Sequence, residues 1–366
     1  MQIPDSKLRD LHISMHNVGD DGARSLALAL RRNTTLLKLG VTCDRIKDRG
    51  ACDFADALKV NASLRQLQLS HNEIGNAGAA LFGEALSVNA VLQSLSLDGN
   101  HISDGAIALF RGLHANLSLR ALNVWGNPIG DAGVEAFATM LHANETLQVA
   151  CLKDTKFGLL GARALCDAIH FNVSLKQLDV ARNHMNLTGS TLLGEALQVN
   201  TSLRALDLSD NKIGRGVVSI GNALLINCNT GLRQLFLSEN RIDDVGVEAL
   251  SSALLTNAFL QVLILSSNRI GDDGAVSMSA ALRVNKTLKH LDLAQNNITA
   301  RGAGSLGAVL RRDNIDLILL DLKRNRLDPF RDANLFDETL RLNRRVLIHL
   351  FCHEDVPFRW HGLTNG

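Results

Sequence analysis

A short alternation of hydrophobic and polar residues recurs along nearly the whole chain. Each copy approximates LxxLxLxxNxI, where x varies from copy to copy. A fixed period of this length is the signature of a repeat architecture. The pattern therefore predicts twelve repeats over residues 8 to 345. The first leucines follow one another at intervals of 27 to 29 residues: Leu8, Leu36, Leu64, Leu92, Leu119, Leu147, Leu175, Leu203, Leu232, Leu260, Leu288 and Leu317.

The two halves of each repeat have different hydrophobic periods. The LxL segment alternates with a period of two, which predicts a short strand with one buried face. The second half, such as GAALFGEAL in the third repeat, has a helical period. One strand and one helix per repeat, stacked in register, predict an α/β solenoid with a parallel sheet on its concave face and helices on its convex face.

Two asparagines recur in the repeats, and both are predicted to satisfy backbone groups where the chain bends. The first follows the strand, as Asn72 does, and its amide carries both a donor and an acceptor. The second ends the helix, three residues before the strand leucine. Seven of the nine N-x-S/T triplets fall at this second position, which favours turn chemistry over glycosylation. These seven are Asn33, Asn61, Asn116, Asn144, Asn172, Asn200 and Asn285.

The turn between strand and helix often reads IGDxG. A phosphate-binding loop occurs once in a chain, whereas this segment recurs, so we interpret it as scaffold. Asp20, Asp131 and Asp272 are predicted to lie at helix N-termini, and the following glycine allows close packing. An aromatic stripe at one helix position is predicted to be core: Phe54, Phe82, Phe110 and Phe137.

Composition narrows the classes of function. The chain of 366 residues has 38 basic and 37 acidic side chains, so it lacks the basic excess of a nucleic-acid-binding protein. No apolar run reaches the roughly 18 residues of a membrane span, and the first residues contain no signal-peptide core. Six cysteines without a CxxC pair predict reduced thiols and a cytoplasmic location.

No catalytic or metal site emerges from the residue pattern. His353, Glu354 and Asp355 are consecutive, and this spacing does not place ligands on one face. No nucleophile, base and orienting acid can be grouped from the sequence. We therefore expect a protein without enzymatic activity, cofactor or metal.

The repeat pattern loosens after Leu327. An open solenoid end exposes core, so the aromatic-rich residues 328–366 are predicted to form a capping helix, a final strand (VLIHLF) and a tail. The repeat array itself is expected to span residues 1–327. The first strand has no comparable cap in the sequence, which predicts a nearly bare edge open to a contact with a partner.

The repeats resemble the ribonuclease-inhibitor-like subclass of leucine-rich repeats. The resemblance rests on LxxLxLxxNxIGDxGxxxLxxxLxxNxxL and covers nearly the whole chain. That subclass includes ribonuclease inhibitors, the Ran GTPase-activating protein and the C-terminal arrays of NOD-like receptors, to which NETLQVACL and NKTLKHLDL are most similar. The resemblance implies a horseshoe-shaped solenoid and does not imply one particular chemistry.

The variable strand residues are predicted to point to the concave face and to bind a protein partner. Between the two strand leucines, ten repeats have a polar or small residue, whereas Phe236 and Ile264 occupy this position in neighbouring repeats. We expect this pair to be exposed, with acids beside it and cations at the strand-exit rim. The predicted partner-binding residues are Trp125, Asp179, Asp207, Phe236, Ile264, Asp292 and Asp321, and the rim cations are Arg241, Arg269, Lys323, Arg324 and Arg326.

Two functions of different class are compatible with these features. The first is a cytosolic, non-enzymatic scaffold for a protein partner. The second is a GTPase activator similar to the Ran GTPase-activating protein, which would show no site of its own. That relative carries a long acidic tail after its array, whereas this chain ends HGLTNG. A nuclease inhibitor would need a more aromatic or acidic concave face.

Overall fold

The computed structural model describes residues 8–225, 231–328, 331–332 and 334–350. The chain divides into two compact units that meet in sequence at Asp179 and Val180, and each unit is described on its own. Strands and helices alternate in both units, as the two hydrophobic periods predict. The predicted boundary between array and cap at residue 327 stays a prediction.

The first unit contains seven strands and six helices among its described residues. The strands are β1 (Asp10–Ser14), β2 (Lys38–Thr42), β3 (Gln66–Gln68), β4 (Ser94–Ser96), β5 (Ala121–Asn123), β6 (Val149–Cys151) and β7 (Gln177–Asp179). The helices are α1 (Gly19–Leu30), α2 (Asp48–Leu58), α3 (Asn76–Val88), α4 (Gly105–Leu113), α5 (Gly130–Ala143) and α6 (Leu159–Phe171).

The second unit contains six strands and six α-helices among its described residues. The strands are β8 (Ala205–Asp207), β9 (Gln234–Phe236), β10 (Val262–Ile264), β11 (His290–Asp292), β12 (Leu319–Asp321) and β13 (Leu347–His349). The helices are α7 (Asn186–Val199), α8 (Val217–Leu225), α9 (Asp244–Leu254), α10 (Asp272–Val284), α11 (Ala300–Arg312) and α12 (Asp337–Leu342).

Within each unit, successive strands pair in parallel and in register. Leu67 lies opposite Leu95 in the first unit, and Leu235 lies opposite Leu263 in the second. These leucines are fully buried on the side of the sheet that faces the helices. Because side chains alternate along a strand, their neighbours point to the other side, which we call the open face. The predicted parallel register is confirmed.

Both asparagine series bond from repeat to repeat, as predicted. The side-chain amide of Asn72 donates to the carbonyl of Val41 in the preceding repeat, and its oxygen accepts the N–H of Asp44. At the helix end, the Asn144 amide donates to the carbonyls of Leu113 and Asn116 at 2.8 and 3.0 Å. Asn144 is 4% exposed, and an amide with both hydrogens engaged is a poor glycan acceptor, which supports the turn interpretation.

The turn aspartates lie at helix N-termini, as predicted, and they also cap the helix of the following repeat. Asp131 lies in the first turn of α5, yet its Oδ1 accepts the N–H groups of Gly158 and Gly161 at 2.7 and 2.8 Å. Those groups belong to the start of α6, where backbone donors lack a partner within the helix. One carboxylate therefore stabilises its own helix start through the dipole and the next one through hydrogen bonds.

The repeats that begin at Leu92 and Leu203 depart from the 28-residue period, and they change their helices and leave their strands in register. Helix α4, in the 27-residue repeat, is only nine residues long. In the 29-residue repeat that begins at Leu203, a 3-10 turn, Gly214–Gly216, precedes the nine-residue α8, whereas the 29-residue repeat that begins at Leu288 has a helix of 13 residues, α11. Strands β4 and β5, and likewise β8 and β9, pair without a slip. The prediction that irregularity falls on turns and helices is confirmed.

The predicted core stripe and the two ends of the described chain also match the pattern. The four phenylalanines of the stripe are fully buried, and the rings of Phe110 and Phe137 pack edge to face at 5.3 Å. Strand β13 pairs with β12, as predicted for VLIHLF, although residues after 350 lie outside the described part. Within the described residues, β1 pairs with β2 alone.

Candidate protein-binding surface on the open face

A row of side chains crosses the open face of the second unit at one strand position. The row comprises the last residue of each three-residue strand, and parallel pairing sets each member opposite the next. Its members in order are Asp207, Phe236, Ile264, Asp292, Asp321 and His349. Five of the seven residues predicted to bind a partner are therefore neighbours. We call this set the open-face row.

Phe236 and Ile264 are buried, so the prediction that they are exposed is wrong. Their exposed fractions are 6% and 7%, and they form an apolar cluster with Val262, which is 5% exposed. Val262 precedes Ile264 by two residues and therefore points to the same face. The three bulky side chains lie on two adjacent strands and shield one another from solvent. The prediction of exposure was made for Phe236 and Ile264 alone and did not include Val262. Their role in partner binding stays a prediction.

The acids of the row have a structural role that the sequence pattern did not indicate. Asp207, Asp292 and Asp321 each accept, through Oδ1, the backbone N–H two residues later, at 2.8 to 2.9 Å. The N–H donors belong to Ser209, Ala294 and Lys323, where the chain leaves the strand. A short acidic side chain is therefore suited to this position even without a partner. The second carboxylate oxygen of Asp321 contacts His349.

A cavity of about 430 Å³ opens on this face beside the apolar cluster. Ile264, Ala294 and Leu319 supply apolar wall, and Asp292 and Asp321 supply carboxylates. The basic and imidazole side chains in the lining are His290, His349, Lys323 and Arg324, and uncharged polar groups come from Ser266, Ser267 and Gln295. This combination of apolar surface with a few polar groups is typical of binding pockets.

The two carboxylates in this cavity have different electrostatic surroundings. Asp321 Oδ2 lies 3.2 Å from His349 Nδ1 and 3.9 Å from Lys323 Nζ. No cationic nitrogen of the described residues lies within 4.0 Å of the Asp292 carboxylate. Burial raises the pKa of Asp292 to about 6, and the nearby charge of Asp321 adds to the rise. Burial also lowers the pKa of His290.

The remaining two predicted site residues, Trp125 and Asp179, belong to the first unit. The Trp125 ring is half-buried, with Lys153 Nζ 5.5 Å from its centre and the His71 ring packed edge-on at 6.0 Å. Asp179 is 4% exposed, and Cys151 Sγ lies 3.5 Å from its Oδ2. Asp179 is thus enclosed, whereas Trp125 presents part of its surface.

The predicted rim of cations is present in part. Arg241, Arg269, Arg324 and Arg326 are exposed where the strands end. Lys323 instead lies on the open face with only 8% exposure and faces Asp321. Its position two residues after Asp321 gives its side chain the same direction as the acid.

His349 is a member of the row that was not among the predicted site residues. It occupies the same strand position as Asp321, because Leu347–His349 pairs residue for residue with Leu319–Asp321. Aligning VLIHLF with the repeat pattern places this histidine in the row. This alignment could have been made from the sequence, but the irregular repeat spacing after Leu327 made it difficult to recognise.

A second cavity lies on the helix side of the first unit. It measures about 590 Å³ and lies between α4 and α5, with Phe110 and Met140 in its lining. Close packing of α4 against α3 accounts for this cavity. The two helices approach so closely at Gly83 and Gly112 that a Cβ on Gly112 would overlap the carbonyl oxygen of Gly83. The short α4 therefore leaves a gap toward α5.

Metal-binding clusters and membrane-spanning helices are absent from the described part of the chain. It contains no group of three or more His, Cys, Asp or Glu side chains placed to hold a metal ion. No described helix combines the length and the apolar character needed to cross a membrane.

Comparison with a solved internalin structure supports the repeat fold, and two other solved structures show a weaker similarity. An internalin (inlF) from Listeria monocytogenes strain 4b F2365 is 18% identical, with a TM-score of 0.54 over 95% of this chain and 87% of that chain. A TLR13–ssRNA13 complex gives 16% identity and a TM-score of 0.48, covering 87% and 42% of the respective chains. The actin-binding site 2 of leiomodin-1 gives 24% identity and a TM-score of 0.32, covering 36% and 76%.

Comparison of sequences identifies the family. No curated protein sequence matches the chain. The leucine-rich repeat profile matches eight segments, residues 5–27, 60–83, 88–110, 115–138, 199–216, 228–251, 256–279 and 284–307. These segments together cover half of the chain, and they follow the strand and helix alternation described above. The chain belongs to the leucine-rich repeat family.

Proposed function

We propose that the chain is a non-enzymatic scaffold that binds a protein partner through the open face of its second unit. Leucine-rich repeat proteins are generally protein-interaction scaffolds, which supports the class of function. The observation that carries the choice of surface is the open-face cavity beside Ile264. Apolar walls and charged groups converge there on strands that the core holds rigidly, as in a binding hot spot.

The open-face row adds a second argument for this surface. The other ten repeats have small or polar residues at the strand position of Phe236 and Ile264, so the repeat fold does not require bulky apolar side chains there. Within the row, Asp207 and Asp292 lie on either side of Phe236 and Ile264. An apolar centre with charges beside it is the usual anatomy of a protein interface.

The subclass and the compartment are part of the same proposal. Repeats of 27 to 29 residues with one helix each support the ribonuclease-inhibitor-like subclass. The four described cysteines are free thiols, which supports a reducing, cytosolic location.

Site-specific photo-crosslinking tests the proposed surface. A photoreactive amino acid replaces Gln234, which is half-buried on the open face of β9, in one variant. In the matched control it replaces Glu248, which is exposed on α9 of the same repeat. We expect irradiation in an extract of the native cells to couple a specific protein to the Gln234 variant. Coupling at Glu248 alone, or at neither position, contradicts the proposal.

A further inference from the structure

The open-face cavity contains one carboxylate that has no cationic nitrogen within 4.0 Å among the described residues. Asp292 lies between Ile264 and Asp321 in the row and is half-buried. Its Oδ1 accepts the N–H of Ala294 at 2.8 Å, and the Ser266 hydroxyl also stabilises its charged form. No cationic nitrogen of the described residues comes within 4.0 Å of it. A partly buried carboxylate with no cation close to it favours an incoming cation.

The charge of Lys323 acts to lower the pKa of Asp292, but among the described residues this lysine forms its close contact with Asp321. The nearest lysine, Lys323, faces Asp321, which His349 also contacts. Arg324 is exposed at the rim, where solvent and salt screen its charge. The inner part of the cavity therefore retains one negative charge, and a single monovalent cation would match it.

The apolar walls of the cavity favour an occupant that has an apolar part as well as a positive charge. Ile264, Ala294 and Leu319 line the approach to Asp292. Lysine and arginine side chains combine an aliphatic stem with a cationic end, and they bury the stem against apolar surface. A cavity of about 430 Å³ is large enough for one such side chain. A phosphate-bearing occupant would instead meet two carboxylates.

We propose that this cavity receives a lysine or arginine side chain of the protein partner. The aliphatic stem packs against Ile264 and Leu319, and the cationic group binds the carboxylate of Asp292. This inference rests on the proposed function and specifies the chemistry of the partner at one position. The raised pKa of Asp292 is consistent with it, because a bound cation would stabilise the charged carboxylate.

Nuclear magnetic resonance of the Ile264 δ1 methyl group tests the inference with small probes. The probes are the N-acetyl amides of lysine and arginine, and the uncharged analogues are those of norleucine and citrulline. We expect the two cationic probes to shift the Ile264 signal saturably and to bind at least tenfold more tightly than their uncharged analogues. A charge-assisted hydrogen bond accounts for a difference of this size.

Two variants make the result specific. Asp292→Asn keeps an oxygen for the Ala294 N–H and removes the charge, so we expect it to weaken the cationic probes about tenfold. Glu248→Gln removes one charge from α9 and should bind them like the parent chain. Circular dichroism confirms that each variant is folded.

Three outcomes would overturn the inference: equal binding of charged and uncharged probes, unchanged binding to Asp292→Asn, or no shift of Ile264 with any probe. The proposed function has a separate test. A protein crosslinked at Gln234, together with any of these three outcomes, would retain the scaffold and reject the basic side chain. Failure of crosslinking would reject the scaffold itself.

Discussion

Asp292 and Asp321 lie opposite one another on adjacent parallel strands and point into the same cavity. Asp321 has His349 and Lys323 beside it, whereas Asp292 has no such partner among the described residues. Two like charges at neighbouring strand positions are unfavourable. A cationic group of a protein partner, as proposed above, would reduce this repulsion on the open face of the second unit.

The first prediction concerns stability and pH. Burial raises the pKa of Asp292 from its ordinary value of 3.8 to about 6 in the folded chain. The folded state therefore holds the proton more tightly, and this group lowers the free energy of unfolding as pH rises from about 4 to 6. The full cost, about 3 kcal/mol at most, is present above pH 7. We expect Asp292→Asn to stabilise the chain more at pH 8 than at pH 5.

Urea unfolding of the parent chain and the variant at both pH values measures this difference. The gain at pH 8 should exceed the gain at pH 5 by on the order of 1 to 3 kcal/mol. Comparing the variants at each pH cancels most of the effect of other groups that face Asp292, including Asp321, Lys323, His290 and His349. Glu248→Gln should show no such pH dependence. A larger gain at pH 5 would contradict the assignment.

The second prediction follows from the burial of the apolar cluster. If Phe236 and Ile264 were exposed, as the sequence predicted, substitutions there would change stability by about 0.5 kcal/mol at most. Because both are nearly fully buried, we now expect Ile264→Ala alone to cost roughly 2 to 4 kcal/mol in the free energy of unfolding. Leu235→Ala, in the core side of β9, provides the comparison and should cost roughly 2 to 5 kcal/mol. A change in the free energy of unfolding within about 0.5 kcal/mol for Ile264→Ala would contradict the burial of this cluster.

The third prediction concerns the helix-end asparagines. Asn144 donates two hydrogen bonds to the preceding repeat and accepts the N–H groups of Thr146 and Leu147. Asn144→Ala leaves these buried groups without partners, so we expect a loss of about 2 kcal/mol or more on thermal or urea unfolding. The exposed neighbour Glu145 serves as control, and Glu145→Ala should stay within about 0.5 kcal/mol. Equal effects of the two substitutions would refute the bonding role.

The fourth prediction concerns the thiols. Titration of the unfolded chain without reductant should count six, although Cys228 and Cys352 lie outside the described residues. In the folded chain, burial and the neighbouring Asp179 raise the pKa of Cys151 well above its ordinary value. We expect Cys151 to react with a thiol reagent much more slowly than Cys43, which is half-buried. A count of four or fewer would contradict a reducing compartment.

The repeat fold could be predicted from the sequence because each repeat carries the same local signals. The LxL alternation predicted the strands, and the amide of Asn72 predicted a bond between repeats. The irregular lengths also predicted where α4 and the 3-10 turn at Gly214 depart from the other helices. These features depend on one repeat and its immediate neighbour, which a periodic sequence specifies.

The site could be predicted only in part. Register placed Phe236, Ile264 and Asp292 side by side, since that follows from the period. Their burial depends on the cluster with Val262, and the bond from Asp292 to Ala294 depends on the backbone path at the strand exit. Neither property is visible in a single strand position.

The most direct test of the central claim compares the two faces of the second unit once a partner has been captured. Gln234→Trp places a bulky side chain on the open face, and Glu248→Trp places the same side chain on the exposed surface of α9. Titration calorimetry of each variant with the captured partner gives the affinities. We expect Gln234→Trp to weaken binding at least tenfold and Glu248→Trp to leave it unchanged. Unchanged binding by Gln234→Trp, or loss through Glu248→Trp alone, would contradict recognition through the open face.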